Sequence, residues 1–378
     1  MARICIVTTT PLVVNFFLRP HLAALSQRHN LTLILNTSGE SFSKLSGIDL
    51  RVIPVMIKRK IALFSDLRCL IRLFIIFYRE QYDAVITVAP KAGLLGIVAA
   101  YLAGIRARYH IFQGEVWITQ TRFLRPILKF ADFLVAGLAY HPLVISRSEL
   151  QFLETEGILR PGKAQLFHEG SIGGVDIARF KRAPSVGRRV RNEIRCNSGD
   201  IIALFLGRLT RDKGVLDLAK AFASVAEADK RRKLLFVGPD EELIRPRLEL
   251  ILADLTDQVR FIDLTDRPED YLAAADFLCL PSHREGFGNV IIEAAACGIP
   301  SLASRIYGIT DAIDENETGL MHKVKNIEEL SANLIRLYDD KGLRERLGNA
   351  AHKRTLERFQ QKDVVRAFIE RIEAPLIT

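Results

Sequence analysis

Apolar residues along this chain fall into two alternating rhythms. Short, nearly continuous apolar runs predict strands at 3–8, 31–36, 50–55 and 84–88, then near 107–112, 143–146 and 164–167. Between them, apolar positions recur at helical spacing, predicting helices at about 16–28, 61–79, 92–103, 121–137 and 147–155. Strand–helix alternation of this kind implies a parallel sheet covered on both faces. The rhythm breaks at Arg179–Asp200, a basic stretch carrying Pro184, Gly187 and Gly199, which reads as a linker leading into a short helix near 188–195. It then restarts. Strands are predicted at Ile201–Leu206, Lys233–Val237, Val259–Ile262, Phe277–Leu280, Pro300–Ala303 and Gly319–Met321. Helices are predicted at Val215–Ala228, Glu241–Leu255, Asp270–Ala275 and Asn289–Cys297, through 326–358, and over an amphipathic final stretch at 360–373. The fold class is α/β, with two Rossmann-like domains built on parallel sheets.

Length and composition fit that picture. A chain of 378 residues suits two domains, and 49% hydrophobic with 26% charged residues describes a globular protein. The net charge of +9 is unevenly spread: residues 1–185 carry 23 Lys/Arg against 12 Asp/Glu, and the remainder is slightly acidic. The basic half points to an anionic partner: a membrane surface, a pyrophosphate-linked lipid or a nucleic acid. No recognition helix or aromatic-basic interleaving supports nucleic acid. Five scattered cysteines without a C-x-x-C pair argue against a disulfide frame or a zinc site and suit a reducing cytoplasm. The start, Ala2 to Thr8, reads as a first buried strand rather than a signal peptide. The longest clean apolar run, Ala92–Ile105, is shorter than the ~20 residues needed to span a bilayer.

The chemistry concentrates in the second half. The segment Pro281-Ser282-His283-Arg284-Glu285-Gly286-Phe287-Gly288-Asn289-Val290-Ile291-Ile292-Glu293 places a carboxylate before a Gly-rich turn and a second carboxylate one turn into a helix. The glycines allow close approach of backbone N–H groups to an anion, and the helix N-terminus near Gly288–Val290 favours phosphate. Glu285 can accept hydrogen bonds from sugar hydroxyls, and Glu293 from a ribose. Upstream, Gly207-Arg208-Leu209-Thr210-Arg211-Asp212-Lys213-Gly214 follows the first strand of the second half. Ligands of open α/β sheets bind at strand carboxyl ends, so Arg208 and Lys213 can hold a diphosphate from two sides and stabilise charge developing on it. No D-x-D metal motif is present in the chain.

Together these segments resemble the signature of the family 4 retaining glycosyltransferases, which have the GT-B fold of two Rossmann-like domains facing a cleft, and the resemblance covers nearly the whole chain. It implies an N-terminal acceptor-side domain over residues 1–180 and a C-terminal nucleotide-sugar domain over 181–358, with a helix at 359–378 returning to the first domain. It implies Arg208, Lys213 and Glu285 as catalytic groups. Donor-binding positions would be Gly207, Gly286, Phe287, Gly288, Asn289, Val290 and Glu293, with Ile262 at a turn whose backbone reads the nucleobase. On the acceptor side the loop from Arg108 to Trp117 matches relatives acting on bacterial surface polysaccharides. His110, Glu115 and Trp117 are its candidates, though Gln113 and Glu115 stand where relatives tend to carry Thr and Gln. For each of the three a core or surface role is an equal alternative, Trp117 as a sugar-stacking ring included. His168 to Asp176 matches the interdomain segment and suits a hinge.

The resemblance implies retaining transfer of a hexose or N-acetylhexosamine from a nucleotide-diphospho-sugar, UDP in preference to GDP. The acceptor would be a saccharide, lipid-linked, in polysaccharide synthesis, with no metal and no other cofactor. Ile57–Tyr82 mixes Arg59, Lys60, Arg68, Arg72 and Arg79 with apolar residues, as in a helix lying on an anionic membrane or a core helix with snorkelling arginines. The expected location is cytoplasmic, peripheral on the inner face of the membrane. Two other readings stay open: a sugar-nucleotide epimerase on the same fold, for which no flanking acid/base set is identifiable, and a non-catalytic basic membrane-binding module.

Overall fold

The computed structural model describes residues 1–37, 45, 47–58 and 61–377. Arg59 and Lys60, two of the basic positions named above, lie outside the described residues. The chain divides into two compact units, Met1–Gly174 with Gln361–Thr378, and Val175–Gln360.

The first unit holds β1 (Arg3–Val7), β2 (Asn30–Leu35), β3 (Arg51–Pro54), β4 (Ala84–Val88), β5 (Ala107–Ile111), β6 (His141–Val144) and β7 (Gln165–Leu166). They pair in parallel in the order β3-β2-β1-β4-β5-β6-β7. The apolar runs have the cause that the pattern suggested: all five residues of β4 are buried, as they must be in a strand with helices on both faces. The helices Leu63–Glu80, Pro90–Leu102 and Leu124–Leu138 lead into β4, β5 and β6. Each crossover moves the same way across the sheet, so right-handed connections put all three on one face. The closing helix, Gln361–Ile377, belongs to this unit, where the Tyr109 hydroxyl donates to the Ile372 carbonyl at 3.2 Å.

The second unit holds β8 (Ile201–Leu206), β9 (Arg232–Val237), β10 (Val259–Ile262), β11 (Phe277–Leu280), β12 (Ser301–Ser304) and β13 (Gly319–His322). They are parallel in the order β10-β9-β8-β11-β12-β13. Chain order reverses between β8 and β11, which makes their carboxyl ends the switch point where open α/β sheets take ligands. Beneath lies an aromatic core: Phe277 packs edge-on to Tyr338 at 5.1 Å, and the Tyr338 hydroxyl donates to the Lys233 carbonyl at 2.8 Å. Burying rings of this size stabilises by roughly 1.5–3 kcal/mol each.

Three helices differ from the pattern for identifiable reasons. The first helical stretch begins at Pro11 rather than 16, passes through a π-turn at Val14–Leu18 and resumes at Arg19–Ser26. Pro20 has no N–H for an i−4 bond, so the ladder must adjust there. The helix expected from Glu241 begins only at Arg245, with Pro246 in its first turn. The Asp240 carboxylate caps it by accepting from Ile244 and Arg245 N–H at 2.8 and 3.0 Å. The stretch 326–358 is two helices, Ile327–Asp339 and Lys341–Arg358, because Asp340 leaves helical geometry and caps the second through Leu343 N–H.

Candidate active site

The second unit builds a polar site at its switch point from two loops. After β8, Gly207 N–H bonds the Val237 carbonyl at 2.9 Å and Leu209 N–H the Pro239 carbonyl at 2.8 Å. The loop therefore follows the end of β9 before a single 3-10 turn at Arg211–Lys213. Gly214 then turns the chain at φ 68°, where a Cβ would lie 1.9 Å from the Pro281 carbonyl oxygen. No side chain fits, and this close approach brings the β8 loop against the end of β11. The His283 N–H seals the contact by donating to the Asp212 carbonyl at 2.7 Å.

Lys213 and Glu285 meet across that seam. The Lys213 ammonium donates to Glu285 Oε1 at 2.5 Å, and the Ser282 hydroxyl donates to the same oxygen at 2.8 Å. Ser282 is fully buried, so it fixes the carboxylate from below and leaves Oε2 outside both bonds. Arg208 donates to Glu241 Oε2 at 2.7 Å, and Arg211 N–H to Glu242 at 3.1 Å. The segment misjudged as helix is thus the loop that holds the β8 turn. His283 Nε2 lies 2.7 Å from Asp217 Oδ2, and this hydrogen bond holds the Asp217 carboxyl below its ordinary range against the opposing effect of burial.

Gly288 precedes the helix Asn289–Ala296, whose first turn carries Asn289 and Val290. Phe287 is buried edge-on against Phe359 at 5.3 Å, so its ring anchors the turn while its backbone stays at the helix start. Gly308, at φ 81°, packs onto this turn so closely that a Cβ would sit 2.6 Å from the Gly286 carbonyl oxygen. Ile262 ends β10, its carbonyl accepting from Gly238 N–H at 3.0 Å. Glu293 stands on the second helical turn. Burial pushes its carboxyl up to about 7, with Arg179 opposing and Glu269 adding to the shift. Arg179 is itself held by Glu269, at 2.7 and 2.9 Å, and by the Asp266 carbonyl.

The three acceptor-side candidates sit in the first unit, all buried. His110 Nδ1 lies 2.9 Å from the Thr87 hydroxyl, and burial lowers its pKa to about 3, which keeps the ring neutral. Glu115 precedes a 3-10 turn at Val116–Thr119. Trp117 is 0% exposed, stacked on Phe152 at 5.5 Å, with Nε1 donating to Asp132 at 2.9 Å. Its ring is packing for the first unit and is not offered to a sugar. Five residues of the second unit had no site role assigned from the sequence: Ser282, Glu241, Arg179, Glu269 and the Asp217 partner of His283. Only Ser282 had a local signal, its place beside Glu285.

Residues 188–354 match the family model of glycosyl transferases group 1. That span lies within the second unit and takes up most of it. Similarity to individual glycosyltransferases extends through both units. Over 331 residues the chain is 27% identical to the capsular polysaccharide biosynthesis glycosyltransferase CapM of Staphylococcus aureus, covering 87% of this chain and 86% of that protein. It is 25% identical over 322 residues to the UDP-Gal:alpha-D-GlcNAc-diphosphoundecaprenol alpha-1,3-galactosyltransferase of Escherichia coli, covering 84% and 82%. Among solved structures, HepE of Anabaena in complex with UDP and glucose superposes with a TM-score of 0.81 at 17% identity, covering 99% of this chain and 100% of that one. That last likeness establishes the fold: two parallel-sheet, Rossmann-like units of the GT-B class. These likenesses agree with the resemblance to glycosyltransferases of surface polysaccharide synthesis read from the sequence.

Proposed function

We propose that this glycosyltransferase moves a hexose or N-acetylhexosamine, with retention, from a UDP-sugar to a saccharide carried on a lipid diphosphate. The observation that carries the reading is the meeting of Lys213, Glu285 and Ser282 at the switch point of the second unit, with Arg208 on the same loop. Each cation already has a carboxylate partner, so an entering diphosphate must take over charges that the fold holds in place. Breaking the bond between the anomeric carbon and the diphosphate oxygen leaves negative charge on the departing nucleotide. Arg208 and Lys213 stabilise that charge, and fixed cations act more strongly on the transition state than on the bound donor. Glu285, oriented by Ser282, accepts hydrogen bonds from donor-sugar hydroxyls. The Asn289–Ala296 helix offers its N-terminal N–H groups to phosphate, and Glu293 accepts from the ribose.

The lipid-linked acceptor follows the E. coli relative, whose name specifies a diphosphoundecaprenol acceptor. It agrees with the basic excess of the N-terminal half, which suits an anionic diphosphate at a membrane face. The reading places the protein in the cytoplasm, peripheral on the inner membrane face. Among the described residues no helix is long and apolar enough to cross a membrane.

The test is transfer from labelled UDP-sugars to a polyprenyl-diphosphate saccharide, with the anomeric configuration of the product read by NMR. Transfer with retained configuration that survives EDTA is the expected result. Inverted product, or loss of activity to EDTA with recovery on adding Mg²⁺, contradicts the retaining or metal-free part of the reading. Absence of transfer from any UDP-sugar contradicts the donor assignment.

A further inference from the structure

The helix Leu63–Glu80 is apolar on two opposite sides. Cys69, Leu73 and Phe77 form the buried seam at i, i+4, i+8. Directly across the helix, Phe64, Leu67, Ile71, Ile75 and Tyr78 form an exposed stripe, with Phe64 88% exposed. An ordinary surface helix turns polar residues outward, so this stripe is not explained by the core. The helix Leu124–Leu138 repeats the arrangement. Val135 and Ala136 are buried, while Phe123, Ile127 and Phe130 face outward, with Phe130 65% exposed. The helix Pro90–Leu102 lies between these two in one layer, and its end adds exposed Tyr101 and Leu102. The exposed stripes therefore share one side of the first unit.

Charge identifies the occupant. Exposed Arg68, Arg72 and Arg79 flank the first stripe, and exposed Arg122 and Arg125 lie at the start of the second. The acidic residues of both helices are turned away: Asp66 pairs with Lys91 at 2.7 Å, Glu80 with Arg3 and Arg51, and Asp132 is buried against Trp117. A second copy of the chain seated on this face would set arginine against arginine. An apolar strip bordered by cations and free of exposed carboxylates fits the interface of an anionic bilayer, where rings enter the acyl boundary and arginines meet headgroups.

We propose that the outer face of these two helices is the surface by which the protein seats on an anionic lipid bilayer. The proposal rests on the membrane-facing part of the function above and supplies its surface, including a second helix beyond the Ile57–Tyr82 stretch. Insertion of rings, and not charge alone, holds the protein there.

The experiment is flotation of the full chain with phosphatidylglycerol/phosphatidylcholine vesicles and with phosphatidylcholine alone, at low and high salt. Variants are Phe64→Asp with Ile71→Asp, Phe123→Asp with Phe130→Asp, and Arg68→Glu with Arg72→Glu; all six positions are exposed. Wild type should float with anionic vesicles and keep part of its binding at high salt. Each apolar pair should lose about tenfold or more in partition, the order expected from withholding large apolar side chains. The arginine pair should weaken binding at low salt and leave the salt-resistant part. Three results overturn the proposal: no flotation of wild type, wild-type binding by both apolar variants, or equal binding to phosphatidylcholine alone. A concentration-dependent dimer dissolved by the same substitutions, without vesicle binding, overturns it in favour of a second copy. A UDP thermal-shift titration on the same proteins separates the two claims. Its failure in wild type removes the donor site and leaves the surface, whereas failed flotation with an intact UDP response removes only the surface.

Discussion

The two units share one topology and spend it differently. Both are parallel sheets whose strand order reverses once, between β1 and β4 in the first and between β8 and β11 in the second. In the second unit the reversal carries a cross-linked polar site: Lys213, Glu285, Ser282 and the His283–Asp217 pair join loops distant in sequence. In the first, the candidate chemistry has gone inward, with His110, Glu115 and Trp117 buried, and two helices turn apolar stripes outward. Among the described residues, 17 of the 22 exposed large hydrophobic side chains belong to the first unit. The same topology therefore carries a cross-linked polar cluster in one unit and apolar, arginine-bordered helices in the other.

The strongest way to break this contrast is to remove the charges of the second unit. Lys213→Ala or Glu285→Gln should lower kcat for transfer by about 10²–10³, the usual cost of losing one preorganised electrostatic group, with the far-UV spectrum unchanged. Near-wild-type rates in both would dissolve the site. Trp117→Phe should act on the first unit's stability alone. It removes the N–H bond to Asp132, whose carboxyl burial already pushes up to about 7. Denaturant unfolding should register a loss of about 1–3 kcal/mol, while the UDP-induced thermal shift stays the same. A lost rate with unchanged stability would return Trp117 to the acceptor site.

Ser282→Ala should cost about tenfold in kcat by freeing the Glu285 carboxylate, and Ser282→Thr should recover part of it. The smallest effect is in pH. Glu293 lies at about 7 in the fold against an ordinary 4.5, so it binds its proton more tightly folded than unfolded. The resulting stability is complete below 4.5 and is lost as pH rises to about 7. Unfolding followed across that window should show a decline that Glu293→Gln flattens. Nucleotide affinity should run the other way, rising through pH 7 as the carboxylate forms to accept the ribose hydroxyls. The same slope in Glu293→Gln would remove this residue from both effects.

The sheets were legible because strands buried on both faces must be apolar almost throughout, as β4 and β8 are. The two cation-bearing and carboxylate-bearing loops were legible because their residues cluster within one turn. What joins them was not. Asp217 meets His283 only because Gly214 and Pro281 approach closely, and no local pattern encodes a contact between positions 66 residues apart. Glu241 was read into a helix because helix propensity says nothing about the Asp240 cap and Pro246, which move the start to Arg245. Trp117 was ambiguous for a related reason: its partners Asp132 and Phe152 come from two other helices.

The most direct test of the central claim is a thermal-shift titration with UDP on wild type and Lys213→Ala. A ligand that binds only the folded protein must raise its apparent stability. A saturable shift in wild type that is lost or moved to at least about tenfold higher UDP in Lys213→Ala is the predicted result. Equal responses from the two proteins, or none from folded wild type, would contradict a nucleotide-diphosphate site at the junction of β8 and β11.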